Sequence, residues 1–416
     1  MKISLISLGC PKNLVDSEKL LGSLGGAGME ICAVPEQSDT IIINTCAFIE
    51  PAIKETEEVI GDVLAYPGDH LVYVYGCAVN RYKERLKQAF PRVTDFFTLE
   101  QYDKLLATIH EASRKIKSRF LSTRGYAFLK IADGCSNNCS YCTIPGIKGP
   151  FKSNSIDELC KEARELAMLG VKELILIAQD TTAYGKDLYK KPMLCILIRK
   201  LSEIKDIKWI RIMYAHPKNL TDKIINEIKT NDKVCKYLDL PIQHVSNRIL
   251  KLMKRGNTKK QLYDQFIRLN QIKGISLRTT VIAGFPTESD VEFKELVSFV
   301  EEMNIAWLGV FSFYRETGTQ AYGFNQLPEH VIEQRYQELL KLQQKIIQMT
   351  NKKKIGKIHK ILIHHKNAQY KGHAQYTCPE IDSNILIDSN DLALGEFCKA
   401  RFTSLNGPDI KAEVIL

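Results

Sequence analysis

The chain has 416 residues, 44% of them hydrophobic and 25% charged, with 14 prolines. This balance excludes a disordered or fibrous chain and leaves apolar surface for two to four domains of roughly 100 to 200 residues each. Its 58 Lys and Arg against 48 Asp and Glu give a formal charge of +10, too mild at this length to mark a dedicated nucleic-acid surface.

No run approaches the ~18 to 20 apolar residues that a membrane helix needs, so no membrane contact is expected. The opening MKISLISLGC has too short an apolar core for a signal peptide and reads as a buried first strand. The expectation is a soluble, cytoplasmic protein whose 12 cysteines stay reduced and serve metal binding or catalysis rather than disulfides.

Three short apolar runs, 3–8, 40–43 and 71–75, each followed by helix-like periodicity, predict parallel strands of an N-terminal α/β domain. Each ends within a few residues of a cysteine: Cys10 in SLGC, Cys46 in NTC, Cys77 in YGC. The carboxyl ends of an open parallel sheet share one edge, where ligands sit, so the three thiols are expected to converge. For any one of them alone, a small buried apolar thiol would be the better reading.

Residues 114–124 are basic and polar and predict a linker. A second α/β series follows, with strands expected at 127–131, 173–178, 209–214, 237–240, 277–283 and 307–313, and amphipathic helices such as 156–169 and 291–303. Six β/α repeats predict a partial (β/α)6 barrel, open where eight strands would close. A long amphipathic helix is expected over 329–354, then short alternating strands in KIHKILIHH, NILIDS, FCKARFTSL and IKAEVIL, the pattern of a small all-β barrel. The expected domains are therefore 1–113, 121–352 and 354–416.

Cys135, Cys139 and Cys142 form C-x3-C-x2-C in the loop after the strand at 127–131. Such a loop can hold three irons of a 4Fe-4S cube and leave the fourth open to a chelating cofactor. A closed zinc site would want a fourth ligand, and the first histidine downstream is His216. The other cysteines, Cys32, Cys160, Cys195, Cys235, Cys378 and Cys398, stand singly in apparent helices or strands and read as core. His364 and His365 alternate across a strand and make a poor metal pair.

CSNNCSYC resembles the signature of the radical S-adenosylmethionine superfamily. The resemblance implies that the open iron binds the amine and carboxylate of S-adenosylmethionine and that an electron cleaves its sulfonium to a 5'-deoxyadenosyl radical. It also implies cofactor contacts at Tyr141, at Gln179 and Asp180 in AQDTT, at Gln243 in LPIQH and at Gly284 in VIAGFP. AQDTT departs from the Gly-Gly-Glu-like turn usual there.

With Cys10, Cys46 and Cys77 upstream and a small β-barrel downstream, the whole chain resembles the methylthiotransferases. That family combines a second 4Fe-4S cluster in its N-terminal domain, a radical barrel and a TRAM domain. SLGCPKNLVDSE and LDLPIQHVSNRILKLMKRG lean to its ribosomal-protein branch. The resemblance implies methylthiolation of the β-carbon of an aspartate in a small-subunit ribosomal protein, with S-adenosylmethionine, two 4Fe-4S clusters and an external electron donor. No side chain receives a catalytic role beyond positioning, because an unactivated C–H bond offers no acidic proton to a base.

The alternative is the tRNA adenosine branch, and a third reading is a non-catalytic iron-sulfur or zinc scaffold that binds RNA. Residues 339–379 carry nine lysines and no acid, and 380–396 carry Glu380, Asp382, Asp388, Asp391 and Glu396 with no Lys or Arg. The acidic run predicts docking of a basic protein and leaves nucleic-acid contact secondary.

Overall fold

The computed structural model describes residues 1–389 and 391–415. The last residue of the expected strand IKAEVIL, Leu416, lies outside them. The chain packs as two units, and the division does not follow chain order. Unit 1 is 1–122 with 133–137 and 142–151; unit 2 is 123–132, 138–141 and 152–416.

Unit 1 is built on a parallel sheet, β1 (Lys2–Ser7), β2 (Glu30–Ile31), β3 (Thr40–Thr45), β4 (Leu71–Gly76) and β5 (Asp95–Phe97), in the order β2-β1-β3-β4-β5. Its helices are α1 (Pro11–Gly26), α2 (Glu50–Leu64), α3 (Cys77–Ala89), α4 (Tyr102–Ile109) and the short α5 (Ile144–Lys148). Side chains of β3 alternate between two cores. Ile41 and Ile43 pack with Ile53, Ile60 and Leu86, whereas Ile42 packs with Leu20, Leu24 and Leu105. Both faces are buried, which is why the strand reads as an unbroken β-branched run.

The stretch predicted as a linker is packed instead. Glu18, 2% exposed on α1, takes Arg119 Nε and Nη2 at 2.8 and 2.6 Å and the Ser122 N–H at 2.9 Å. A basic stretch reads as solvent-facing unless its buried acid is known, and that acid is a hundred residues away in sequence.

Unit 2 holds six parallel strands in chain order, Tyr126–Lys130, Glu173–Ile177, Trp209–Ile212, Val234–Asp239, Ser276–Ala283 and Trp307–Ser312. Their helices begin at sequence-encoded caps. Ser155 with Glu158 and Ser289 with Glu292 form capping boxes at the starts of Ile156–Met168 and Asp290–Glu302. The helix Glu329–Lys352 follows, then five short strands that close into a barrel around Ile361, Ile385, Phe402 and Ile410.

The loop 374–383 of that small barrel seals the amino ends of the parallel strands. Arg211 donates to the carbonyls of Gln375 and Ala374 at 2.8 and 3.2 Å and pairs at 2.7 Å with Glu173, both side chains of the pair fully buried. Trp307 Nε1 donates to the Tyr376 carbonyl at 2.8 Å, and Tyr126 donates to Glu380 at 2.6 Å.

The acidic docking patch expected from 380–396 is corrected at one residue, Asp382. Asp382 accepts from Tyr237 and from the Cys378 N–H, each at 2.8 Å, and pairs with Arg278 at 3.5 Å, with its side chain 2% exposed. Asp382 thus belongs to the core, Glu380 is engaged by Tyr126, and Glu396 meets Lys172 at 3.2 Å. Glu380, Asp388, Asp391 and Glu396 all remain exposed, so Asp382 alone leaves the patch. An acid surrounded in sequence by polar residues gives no sign that a remote arginine and tyrosine have buried it.

Candidate functional sites

The N-terminal thiols are brought together by strand register. Ser7 pairs with Asn44 and Asn44 with Tyr75, so the carboxyl ends of β1, β3 and β4 are level. Cys10 caps α1 just before Pro11, and Cys77 opens α3 directly after β4. Gly9 makes the first turn possible: its φ is +85°, and a Cβ there would stand 2.7 Å from Cys46 Cβ and 2.8 Å from its Sγ. A side chain at position 9 would collide with Cys46.

One neutral amide organises this edge. Asn13, 1% exposed and one turn beyond Cys10, donates to the carbonyls of Leu8 and Thr45 at 3.0 and 2.9 Å. Its Oδ1 lies 4.0 Å from Cys10 Sγ and 3.8 Å from Cys77 Sγ. Asn44 donates to the Asn13 carbonyl and to Ser17, both at 2.9 Å. Burial pushes the Cys77 thiol up to about 12, with Cys10 and Cys46 adding to the rise and Lys148 opposing it. Burial also raises Cys46, where the Phe48 N–H and Lys148 pull the other way.

Three thiols on one level edge are soft donors of the kind an iron-sulfur cube takes. Among the described residues no three His, Cys, Asp or Glu side chains stand close enough to hold one metal ion. A cube presents separate irons to separate thiolates, so its ligands need not crowd together.

Of the C-x3-C-x2-C loop, Cys135 and Cys142 belong to unit 1, and Cys139 and Tyr141 to unit 2. The Cys135 N–H donates to the Gly149 carbonyl at 3.0 Å. In unit 2, Arg255, 5% exposed, sends Nη1 to 3.7 Å from Cys139 Sγ and Nη2 to the Pro241 carbonyl. Burial opposes its charge, but Tyr141, Cys139 and Asp180 together hold it above the ordinary arginine range.

Gln179, Asp180, Gln243 and Gly284 all follow the carboxyl ends of parallel strands. Gln179 Oε1 is buried and has no hydrogen-bond partner in the protein, as an atom waiting for a ligand donor would be. The carboxylate of Asp180, by contrast, accepts from Thr182 and Asn219 at 2.7 Å each and from the Ala183 N–H at 3.1 Å. Tyr141 meets Phe285 edge-on, ring centres 6.4 Å apart. Gln243 is held at φ +70° by backbone bonds to Thr280 and Ile282.

Glu288, which the sequence reading missed, ties two of these segments. Its Oε1 meets His244 Nε2 at 2.8 Å, and its Oε2 accepts from the Gly284 N–H at 3.1 Å and from Arg335 at 2.6 Å. His244 Nδ1 accepts from the Ser246 N–H at 3.0 Å, so the proton on a neutral ring sits on Nε2. Gly284 itself (φ +74°) has no room for a side chain, since a Cβ would come within 2.7 Å of Ile332. Glu288 lies only four residues past Gly284, but nothing local says that it is buried.

Comparison with known proteins decides the family. Residues 129–300 match the model of the radical SAM superfamily, 355–415 that of the TRAM domain, and 2–98 that of uncharacterized protein family UPF0004. The chain is 43% identical over 99% of its length to the ribosomal protein uS12 methylthiotransferase RimO of Aquifex aeolicus, covering 96% of that protein. The chain belongs to the RimO family. The relative of the same name from Clostridioides difficile is 41% identical, with 100% of this chain and 99% of that one covered. Among solved structures, the radical S-adenosylmethionine methyltransferase TsrM of Kitasatospora setae, with cobalamin and a [4Fe-4S] cluster bound, aligns with TM-score 0.56 at 12% identity, over 77% of this chain and 76% of that one. That likeness concerns the fold alone. The RimO-family chain is thus a radical S-adenosylmethionine enzyme, and among its described residues no helix is long and apolar enough to cross a membrane.

Proposed function

We propose that this chain methylthiolates the β-carbon of an aspartate in ribosomal protein uS12, using S-adenosylmethionine, two 4Fe-4S clusters and an external electron donor. The observation that carries the reading is the level edge that gathers Cys10, Cys46 and Cys77 in a chain that also bears the radical loop. The work would divide among 1–113, 121–352 and 354–416, in the cytoplasm, where the ribosomal protein is made.

Cys135, Cys139 and Cys142 would hold one cluster and Cys10, Cys46 and Cys77 the other. Bound there, the clusters and S-adenosylmethionine supply the one-electron chemistry that an unactivated C–H bond requires. Gln179 offers its unpartnered Oε1 to a ligand ammonium, and Asp180, fully engaged by its neighbours, fixes the turn that presents it. Tyr141, Gln243 and Gly284 would offer backbone groups at the same strand ends, and the buried Arg255 holds a cation beside the Cys139 thiolate.

Intact-mass analysis of uS12 from cells with and without this gene tests the reading. A mass gain of one methylthio group that depends on the gene supports it. Unchanged uS12 together with gene-dependent methylthiolation of tRNA adenosine would place the chain in the other branch.

A further inference from the structure

One short segment is stitched to all three thiol-bearing loops of unit 1. Thr143 Oγ1 donates to the carbonyl of Phe48, two residues past Cys46, at 2.9 Å. The carbonyl of Ile147 accepts from Asn80, three residues past Cys77, at 3.0 Å. Lys148 reaches Asp16, on α1 one turn beyond Asn13, with Nζ 3.9 Å from Oδ2, and it stands 4.0 Å from Asp133 Oδ1. The segment 143–148 is α5 and the residue before it.

Its last side chain is the unusual one. Lys148 is 3% exposed, a burial that an ammonium tolerates only with charge partners. Asp16 and Asp133 are two, at contact distances too long for tight hydrogen-bonded pairs. It also acts on the buried thiols, which are neutral as they stand and become negative only as thiolate ligands: of the charged side chains acting on both Cys46 and Cys77, Lys148 is the cation. Two more cations stand near this edge: Arg81, which donates to the Ala47 carbonyl at 3.0 Å, and Lys12, two residues past Cys10 and 6% exposed.

We infer that Lys148 is a positioning residue for the N-terminal cluster, a buried ammonium that α5 holds against the three cysteine loops to stabilise the negative charge of a thiolate-bound cube and to raise its reduction potential. The inference rests on the proposed two-cluster reading. Reduction adds one negative charge to a desolvated site, and a fixed cation favours that state. Salt cannot screen a cation so deeply buried, and solvent cannot replace it.

The experiment uses the full chain with Cys135, Cys139 and Cys142 replaced by alanine, so that any cube bound is the N-terminal one. The protein is reconstituted anaerobically and titrated with dithionite, with paramagnetic resonance reporting the reduced fraction. If that parent takes up no iron, the two-cluster reading fails and the inference falls with it. With about four irons bound, Lys148→Met should lower the midpoint potential, making reduction at least tenfold less favourable, which is 59 mV for one electron. Lys148→Arg should return the potential towards the parent value. An unchanged potential in an iron-loaded Lys148→Met variant would overturn the inference. If Lys148→Met takes up no cluster, Lys148→Arg decides: a cluster at a parent-like potential supports the charge role, and loss in that variant too shows that shape rather than charge is needed.

Discussion

Around Cys10, Cys46 and Cys77 the buried polar groups are mostly neutral, the amides of Asn13 and Asn44 and the hydroxyls of Ser17 and Thr45, and the cations among them are Lys12 and the side chain of Lys148. Around Gln243 and Gly284 they are already paired, His244 with Glu288 by a hydrogen bond and Glu288 with Arg335 as an ion pair. The first arrangement leaves a negative ligand set to be charge-balanced by what binds. The second cancels its own charges and offers a zwitterionic ligand rigid backbone and one open amide oxygen, that of Gln179. Both stand at the carboxyl ends of parallel strands, so the sheet sets the place and the side chains set the chemistry.

The largest effect should come from removing thiols. Replacing Cys10, Cys46 and Cys77 with alanine should stop methylthio transfer and leave cleavage of S-adenosylmethionine, whereas replacing Cys135, Cys139 and Cys142 should stop both. Iron analysis should fall from about eight to about four in either variant. Equal loss of cofactor cleavage in both would erase the distinction between the two sites.

Next in size is stability in the paired region. Glu288→Ala leaves His244 buried without its carboxylate, Arg335 with the Asp290 carboxylate alone, and the Gly284 N–H free, which should cost about 3–5 kcal/mol. Denaturant unfolding would measure it, and a cost below about 1 kcal/mol would mean that the network is relaxed and solvated. In the neutral region Asn13→Ala orphans two buried carbonyls and should cost less, about 1–3 kcal/mol.

The smallest effects, taken over any one pH unit, separate the regions by pH in the metal-free protein. Burial, then Arg255, Lys218 and Lys186, lower His216 in unit 2 to about 2. The unfolded chain therefore binds the extra proton first, and stability should fall as pH drops from about 6.5 towards 2, by about 1.4 kcal/mol per pH unit. Cys77 in unit 1 is raised to about 12, so the unfolded chain loses its proton first. Stability should then fall as pH rises from about 9 towards 12, with a similar slope. His216→Asn should flatten the acid limb and Cys77→Ala the alkaline one. A curve unmoved by either substitution would contradict the assignment.

Strands such as Thr40–Thr45 and Ser276–Ala283 were legible because a run of β-branched residues buried on both faces has few other destinies. Glu30–Ile31, Asp95–Phe97 and Tyr370–His373 were not, since two to four residues at an edge or a barrel corner carry no period. The cysteines could be named from spacing, but Asn13, Glu288, Arg255 and Lys148 could not, because an amide or a charge looks solvent-facing until its remote partner is known. Asp382 failed in the same way and in the opposite direction, being read as surface when Tyr237 and Arg278 had taken it inside.

The most direct measurement is mass analysis of uS12 after anaerobic reaction with the reconstituted chain, S-adenosylmethionine, sulfide and a reductant. The parent protein should add one methylthio group to an aspartate-bearing peptide, and the Cys10, Cys46 and Cys77 variant should leave that peptide unmodified while still cleaving S-adenosylmethionine. Modification of the peptide by that variant, or unmodified uS12 from a parent protein that cleaves the cofactor and carries both clusters, would contradict the proposed function.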